Sequence, residues 1–138
     1  MGSRRKGRVL AFQALYSWDT VNQDIDDLLL FSWLEEAEQE KIAQDSLMFA
    51  RLLLSGTLEK IEDVDAEIKR QLEHWDFNRV SKVDLAILRL SVYSLKYQED
   101  IPQSVTIDEA VDISKDFGND DSYKFINGVL DGIKKRLG

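Results

Sequence analysis

The 138-residue chain has no cysteine, one proline and one histidine. Without thiols there is no disulfide framework, no thiolate chemistry and no Cys/His ligand spacing for zinc. No alternating polar and apolar run is closed by turn residues, so β-strands have little to stand on. No apolar stretch approaches the roughly 20 residues that cross a bilayer, and none has the form of a secretory h-region. The chain is therefore expected to be cytoplasmic, with no membrane partner. Lys6 stands where an N-myristoylation site needs Ser or Thr. Catalytic signatures are equally scarce. His74 has no second histidine to work with, there is neither a Gly-rich phosphate loop nor a G-x-S-x-G, and Asn119-Asp120-Asp121 lacks the alternating oxygens, Gly and Glu of a calcium loop. A non-enzyme with no metal and no cofactor is the expectation.

What is present is helical. Hydrophobic residues make up 43% and charged residues 32% of the chain, the profile of a globular all-α protein. Its length suits a single domain, residues 1–138, around one core. Within Val83–Leu95 the apolar residues fall on nearly every side of a 3.6-residue period, and a helix apolar all round needs cover on all sides. The predicted architecture is a multi-helix bundle with this helix at its centre.

The first helix is predicted from Arg4 or Arg5 to about Val21, with Val9, Phe12, Leu15 and Tyr16 facing inward. Asp24 or Asp26 can cap a short helix through Ile25, Leu28, Leu29, Phe31, Trp33 and Leu34, and acidic residues 35–40 read as a solvated segment. From Asp45 a helical pattern runs to Leu72, as one helix or as two broken near Glu62 to Asp65. Ser81 opens the central helix. Thr106-Ile107-Asp108-Glu109 reads as a capping box opening a helix with Ala110, Val111, Ile113 and Phe117 inward. Gly118 ends that helix, and Asp108, Asp112 and Asp116 form a solvated acidic stripe. The last helix carries Tyr123, Phe125, Ile126, Val129, Leu130 and Ile133. Gly56, Gly128 and Gly132 are expected where neighbouring helices approach closely.

Net charge is −8, but its distribution is uneven. Residues 1–8 hold Arg4, Arg5, Lys6 and Arg8 without an acid, leaving 14 basic against 26 acidic residues, or −12, on the rest. A basic arm sits on an acidic body. Such a run is either a solvated face or a contact for an anionic partner, and cations at a helix N-terminus oppose its dipole, which favours an external anion. Near the start of the last helix, Asp121, Lys124, Phe125 and Asn127 offer a carboxylate, a cation, a ring and an amide. Backbone charge, stacking and polar groups that reach base edges are what single-stranded RNA recognition uses.

The chain resembles the bacterial transcription antitermination factor NusB family. The resemblance rests on Arg4-Arg5-Lys6-Gly7-Arg8 leading to Ala14-Leu15-Tyr16-Ser17-Trp18, on Ala86-Ile87-Leu88-Arg89-Leu90 with Tyr93 and Leu95, and on Ile107-Asp108-Glu109-Ala110-Val111. It continues through Lys115-Asp116-Phe117-Gly118 and the long motif from Asp121 to Asp131, leaving out only about residues 22–44. The resemblance implies a helical bundle that binds the boxA element of nascent RNA together with NusE, a small-subunit ribosomal protein, and helps RNA polymerase read through terminators in ribosomal RNA operons. It implies RNA contacts from Arg4, Arg5, Lys6, Arg8, Asp121, Lys124, Phe125 and Asn127, and a NusE surface at Tyr16 and Asp84. The competing class is a NusB-like protein-interaction or homodimerisation module without RNA specificity of its own. A NusB-like domain fused to a ribosomal RNA methyltransferase is disfavoured, since the chain ends at Gly138 with no cofactor domain.

Overall fold

A computed structural model describes residues 2–31 and 34–138. Eight α-helices and one 3-10 turn make up its regular structure, with no strand among the described residues. They are α1 (Ser3–Val21), α2 (Ile25–Leu30), α3 (Glu36–Lys41), α4 (Gln44–Glu59), α5 (Ile61–Gln71), the 3-10 turn Phe77–Arg79, α6 (Lys82–Tyr97), α7 (Gln103–Phe117) and α8 (Ser122–Leu137). No described helix is long and apolar enough to cross a membrane.

The all-round apolar helix is the hub. Helix α6 touches α1, α4, α5, α7 and α8, and its residues 84–92 are all buried. Ser81 caps it, its hydroxyl accepting from the Asp84 N–H at 3.1 Å. Leu88 is fully buried at the centre of a single core to which every long helix contributes. Arg89, also buried, donates two hydrogen bonds to Asp65 (2.8 and 2.9 Å) and stands 3.3 Å from Asp19, so one guanidinium ties α6 to α5 and α1. Those carboxylates offset the cost of burying the guanidinium.

Two of the three glycines expected at close helix approaches are found there. A Cβ on Gly56 would run into the Tyr93 ring, and one on Gly132 would meet the Gln71 amide. Gly128 does not follow them: nothing lies within 4 Å of where its Cβ would be, and it is exposed.

Elsewhere the structure corrects boundaries. The 45–72 pattern is two helices, joined at Lys60 rather than between Glu62 and Asp65. Asp24 caps α2, Trp33 lies outside the described residues, and part of the acidic segment forms the short, wholly unburied helix α3. The capping box at Thr106 is not a helix start. Helix α7 begins three residues earlier, behind Pro102, whose carbonyl accepts from the N–H groups of Val105 and Thr106. Thr106 consequently sits inside the helix with its hydroxyl turned into the core. Phe117, expected inward, is 40% exposed and rests on the Phe12 ring (5.1 Å between centroids) at the end of α7.

Candidate nucleic-acid interface

The basic arm is the first two turns of α1. Gly2 caps the helix in extended conformation without a side-chain bond, and no acid lies in the first turn. Its four cations meet four different fates. Arg4 is exposed, over the Phe49 ring at 5.6 Å. Lys6 is half-buried and has no acidic partner among the described residues. Arg5 is held across the gap to α7, donating to Glu109 (2.8 Å) and Asp112 (2.5 Å), and these carboxylates raise its pKa above the ordinary arginine value. One of the three acids in the expected solvated stripe is therefore an ion-pair partner.

Arg8 departs furthest from an open phosphate ligand. It is only 7% exposed, its guanidinium lies 5.2 Å over the same Phe49 ring, and one terminal nitrogen is buried without a partner. Burial lowers its pKa. Residues i and i+4 of a helix share a face, so Arg4 and Arg8 flank one ring of α4. Gly7 permits the approach, since a Cβ there would stand 2.8 Å from the Phe49 ring. Arg4, Arg5 and Arg8 line a concavity of about 590 Å³ with Ile101, Pro102 and Glu109 among its walls.

The second expected group is separate from the first. Asp121 occupies the N-cap position of α8 without making a cap bond, and Lys124 and Asn127 are exposed on the first two turns. Phe125 is half-buried, with one side on the core and its ring 5.7 Å from that of Trp75. It is thus neither a wholly buried core residue nor a free platform. Helix α7 joins the two groups. Arg5 holds its first half, and Lys115 in its last turn lies 5.4 Å over the ring of Tyr123 at the start of α8. From Glu109 to Lys115 is roughly 9 Å at 1.5 Å per residue. Lys124 approaches the same Tyr123 ring at 5.8 Å.

Tyr16 and Asp84, the expected protein-contact pair, lie along a third surface. Tyr16 is 38% exposed and lines a groove of about 210 Å³ with Phe12, Gln13, Val83 and Phe117. Asp84 follows Val83 on α6 but is buried, with one carboxylate oxygen lacking a partner. The Tyr16 ring can offer itself to a partner directly, whereas the Asp84 carboxylate sits beneath the surface.

The NusB family model matches residues 5–135. The chain belongs to the NusB family. The transcription antitermination protein NusB of Treponema denticola is 50% identical over 133 residues, 96% of each chain. Among solved structures, T. maritima NusB matches with a TM-score of 0.84 and 38% identity, over 96% of this chain and 90% of that one. A structure of antitermination factors NusB and NusE in complex with dsRNA matches with a TM-score of 0.84 at 27% identity, over 97% of both chains. The family is one of transcription antitermination factors, not of enzymes.

One exposed residue escaped the sequence reading. Trp75, in the connection between α5 and α6, is 65% exposed beside Phe125. Its signal was an aromatic residue in a polar connection, which periodicity does not score.

Proposed function

We propose that this NusB-family protein binds the boxA element of nascent RNA together with NusE and so promotes read-through by RNA polymerase in ribosomal RNA operons, in the cytoplasm where those transcripts are made. The observation that carries the reading is the placement of charge: on a body of net −12, four cations gather at the head of α1 in a segment that itself holds no acid, in a fold matched by a NusB solved with NusE and dsRNA. Arg4 and Lys6 hold phosphates directly, Arg5 lines the concavity as part of an ion-pair network, and Arg8 holds Phe49 beneath them. Lys124 and Asn127 supply the second contact at α8, with Asp121 at its edge. The groove at Tyr16 is the surface for NusE, and Asp84 supports its wall. Phosphate contacts fix a strand without reading it, so sequence preference falls to the ring and amide groups at α8.

Fluorescence anisotropy with a boxA oligonucleotide and a scrambled strand of equal length tests this, with and without NusE. The expected result is a preference for boxA that NusE strengthens. Equal binding of both strands, unchanged by NusE, overturns it. Self-association with no RNA binding would identify the homodimerisation module instead.

A further inference from the structure

Trp75 is exposed in a setting that gives the fold no use for its exposure. Helix α5 ends at Gln71, the Trp75 N–H donates to the Leu72 carbonyl at 2.7 Å, and the Asp76 side chain then caps the 3-10 turn by accepting from the Asn78 N–H at 3.0 Å. The connection is therefore tied down, and it turns its two aromatics in opposite senses. Phe77 goes inward, where Lys69 and Arg89 lie over its ring at 4.9 and 5.9 Å. Trp75 goes outward and leans on Phe125 with the rings inclined at 52°. Since Phe125 packs against the core, the indole stands on a rigid support.

The ground beside this pair is bare. Gly128 lies one turn beyond Phe125 on α8, where residues three apart share a face, and the space its side chain would occupy is empty to 4 Å. Lys124 and Asn127 are exposed on the same turns. Around Trp75 the exposed neighbours are Glu73, His74, Asp76, Asn78 and Arg79, with Glu73 facing His74 and Asp76 facing Arg79 in loose pairs at 3.5 and 3.9 Å. A protein partner docks on a contiguous apolar patch, and these neighbours are polar. A single supported aromatic face among balanced charges suits one flat heteroaromatic ring.

We propose that Trp75 is the stacking face of a subsite for an unpaired nucleobase, with Phe125 behind it, the bare backbone at Gly128 leaving room for the base, and Lys124, four residues before Gly128 on the same face of α8, beside it for the adjoining phosphate. The subsite rests on the RNA-binding reading above and adds to it the residue on which a base is stacked.

Three variants test it: Trp75→Ala removes the face, Trp75→Phe keeps an aromatic one, and Gly128→Leu fills the bare ground. Wild type and variants are titrated with boxA RNA by anisotropy and melted in parallel. Trp75→Ala should weaken binding about 5- to 150-fold with little change in melting temperature, Trp75→Phe should keep most of the affinity, and Gly128→Leu should weaken binding while folding normally. RNA should quench the indole emission of wild type, and the quench should vanish in Trp75→Phe, which retains Trp18 and Trp33. If wild type binds and Trp75→Ala binds equally well, the subsite is refuted. The same holds if Trp75→Ala alters only the capture of NusE. A wild type that binds no RNA would instead bring down the broader reading, and the subsite with it.

Discussion

The salt dependence of RNA binding is where the sequence and the structure give different numbers. Read from the sequence, four arm cations neutralise four phosphates, and at about −0.7 per phosphate on a single strand the arm contributes a slope of about −2.8 in log K against log salt. The structure withdraws two of them. Arg8 is buried over Phe49. Arg5 already has two carboxylates, and a phosphate that took it would leave Glu109 and Asp112 uncompensated against the RNA. Arg4 and Lys6 remain, and the arm's share falls to about −1.4. Anisotropy titrations across a salt series should therefore show the Arg4→Gln, Lys6→Gln double variant flattening the slope by about 1.4. Arg8→Met, which keeps the bulk over Phe49, should leave the slope as it was. Glu109→Gln with Asp112→Asn frees Arg5 and should steepen the slope by about 0.7. If Arg8→Met flattened the slope as much as a single change at Arg4, the buried guanidinium would be a phosphate ligand and the reasoning from burial would fail.

Leu88→Ala should cost roughly 2 to 5 kcal/mol in denaturant melts, because the side chain is wholly enclosed in the core, and a loss under about 1 kcal/mol would deny α6 its central place. Gly56→Ala drives a methyl into Tyr93, so an overpacking cost of about 1 to 3 kcal/mol offsets or exceeds the gain of about 1 kcal/mol in helix propensity. Gly128→Ala meets nothing and should keep that gain, so thermal melts should move the two variants apart, with Gly128→Ala the more stable. Asp63 is hydrogen-bonded by Lys96 and by Tyr97, which hold its carboxyl below the ordinary aspartate value. A depressed carboxylate stabilises the fold above its unfolded pKa and loses that contribution as pH falls through the folded one, so Asp63→Asn should flatten the stability profile below about pH 4.

How far the sequence could be read depended on whether the deciding interaction was local. The centre of the bundle was legible because periodicity reports burial directly: a helix apolar on all sides has one place to go. The cap at Ser81 was legible for the same reason, its partner being three residues away. The cap at Thr106 misled because a Ser/Thr-x-x-Glu pattern also fits the interior of a helix, where Pro102 had already set the start. Gly132 and Gly128 look alike in sequence, yet only Gly132 faces another helix, and which face of α8 meets α5 is a tertiary fact. The basic arm was visible as composition, but the fate of each cation was set by residues 41 to 107 positions away: Phe49 for Arg8, and Glu109 and Asp112 for Arg5. The resemblance identified the family and named candidate contacts without distinguishing a free guanidinium from a buried one.

On the proposed reading, that sorting of cations is how a protein of net charge −8 would present itself to a polyanion. Arg89 spends its charge on Asp65 and Asp19, Lys96 on Asp63 and Glu67, Arg136 on Glu67, and Arg5 on the acids of α7. Each of these pairs fastens one helix to another, so the cations consumed are those that build the bundle. Arg4 and Lys6 at the head of α1, with Lys115 and Lys124 at the junction of α7 and α8, are bound to no acid among the described residues. Either cluster alone brings few charges and a weak grip. On the RNA-binding reading proposed above, α7 joins them at fixed separation, so that a strand held at one would reach the other at high effective concentration and the second contact would add without a further search. On that reading, the rigidity supplied by the internal ion pairs would let two small patches act on one strand, against a body whose overall charge would repel it.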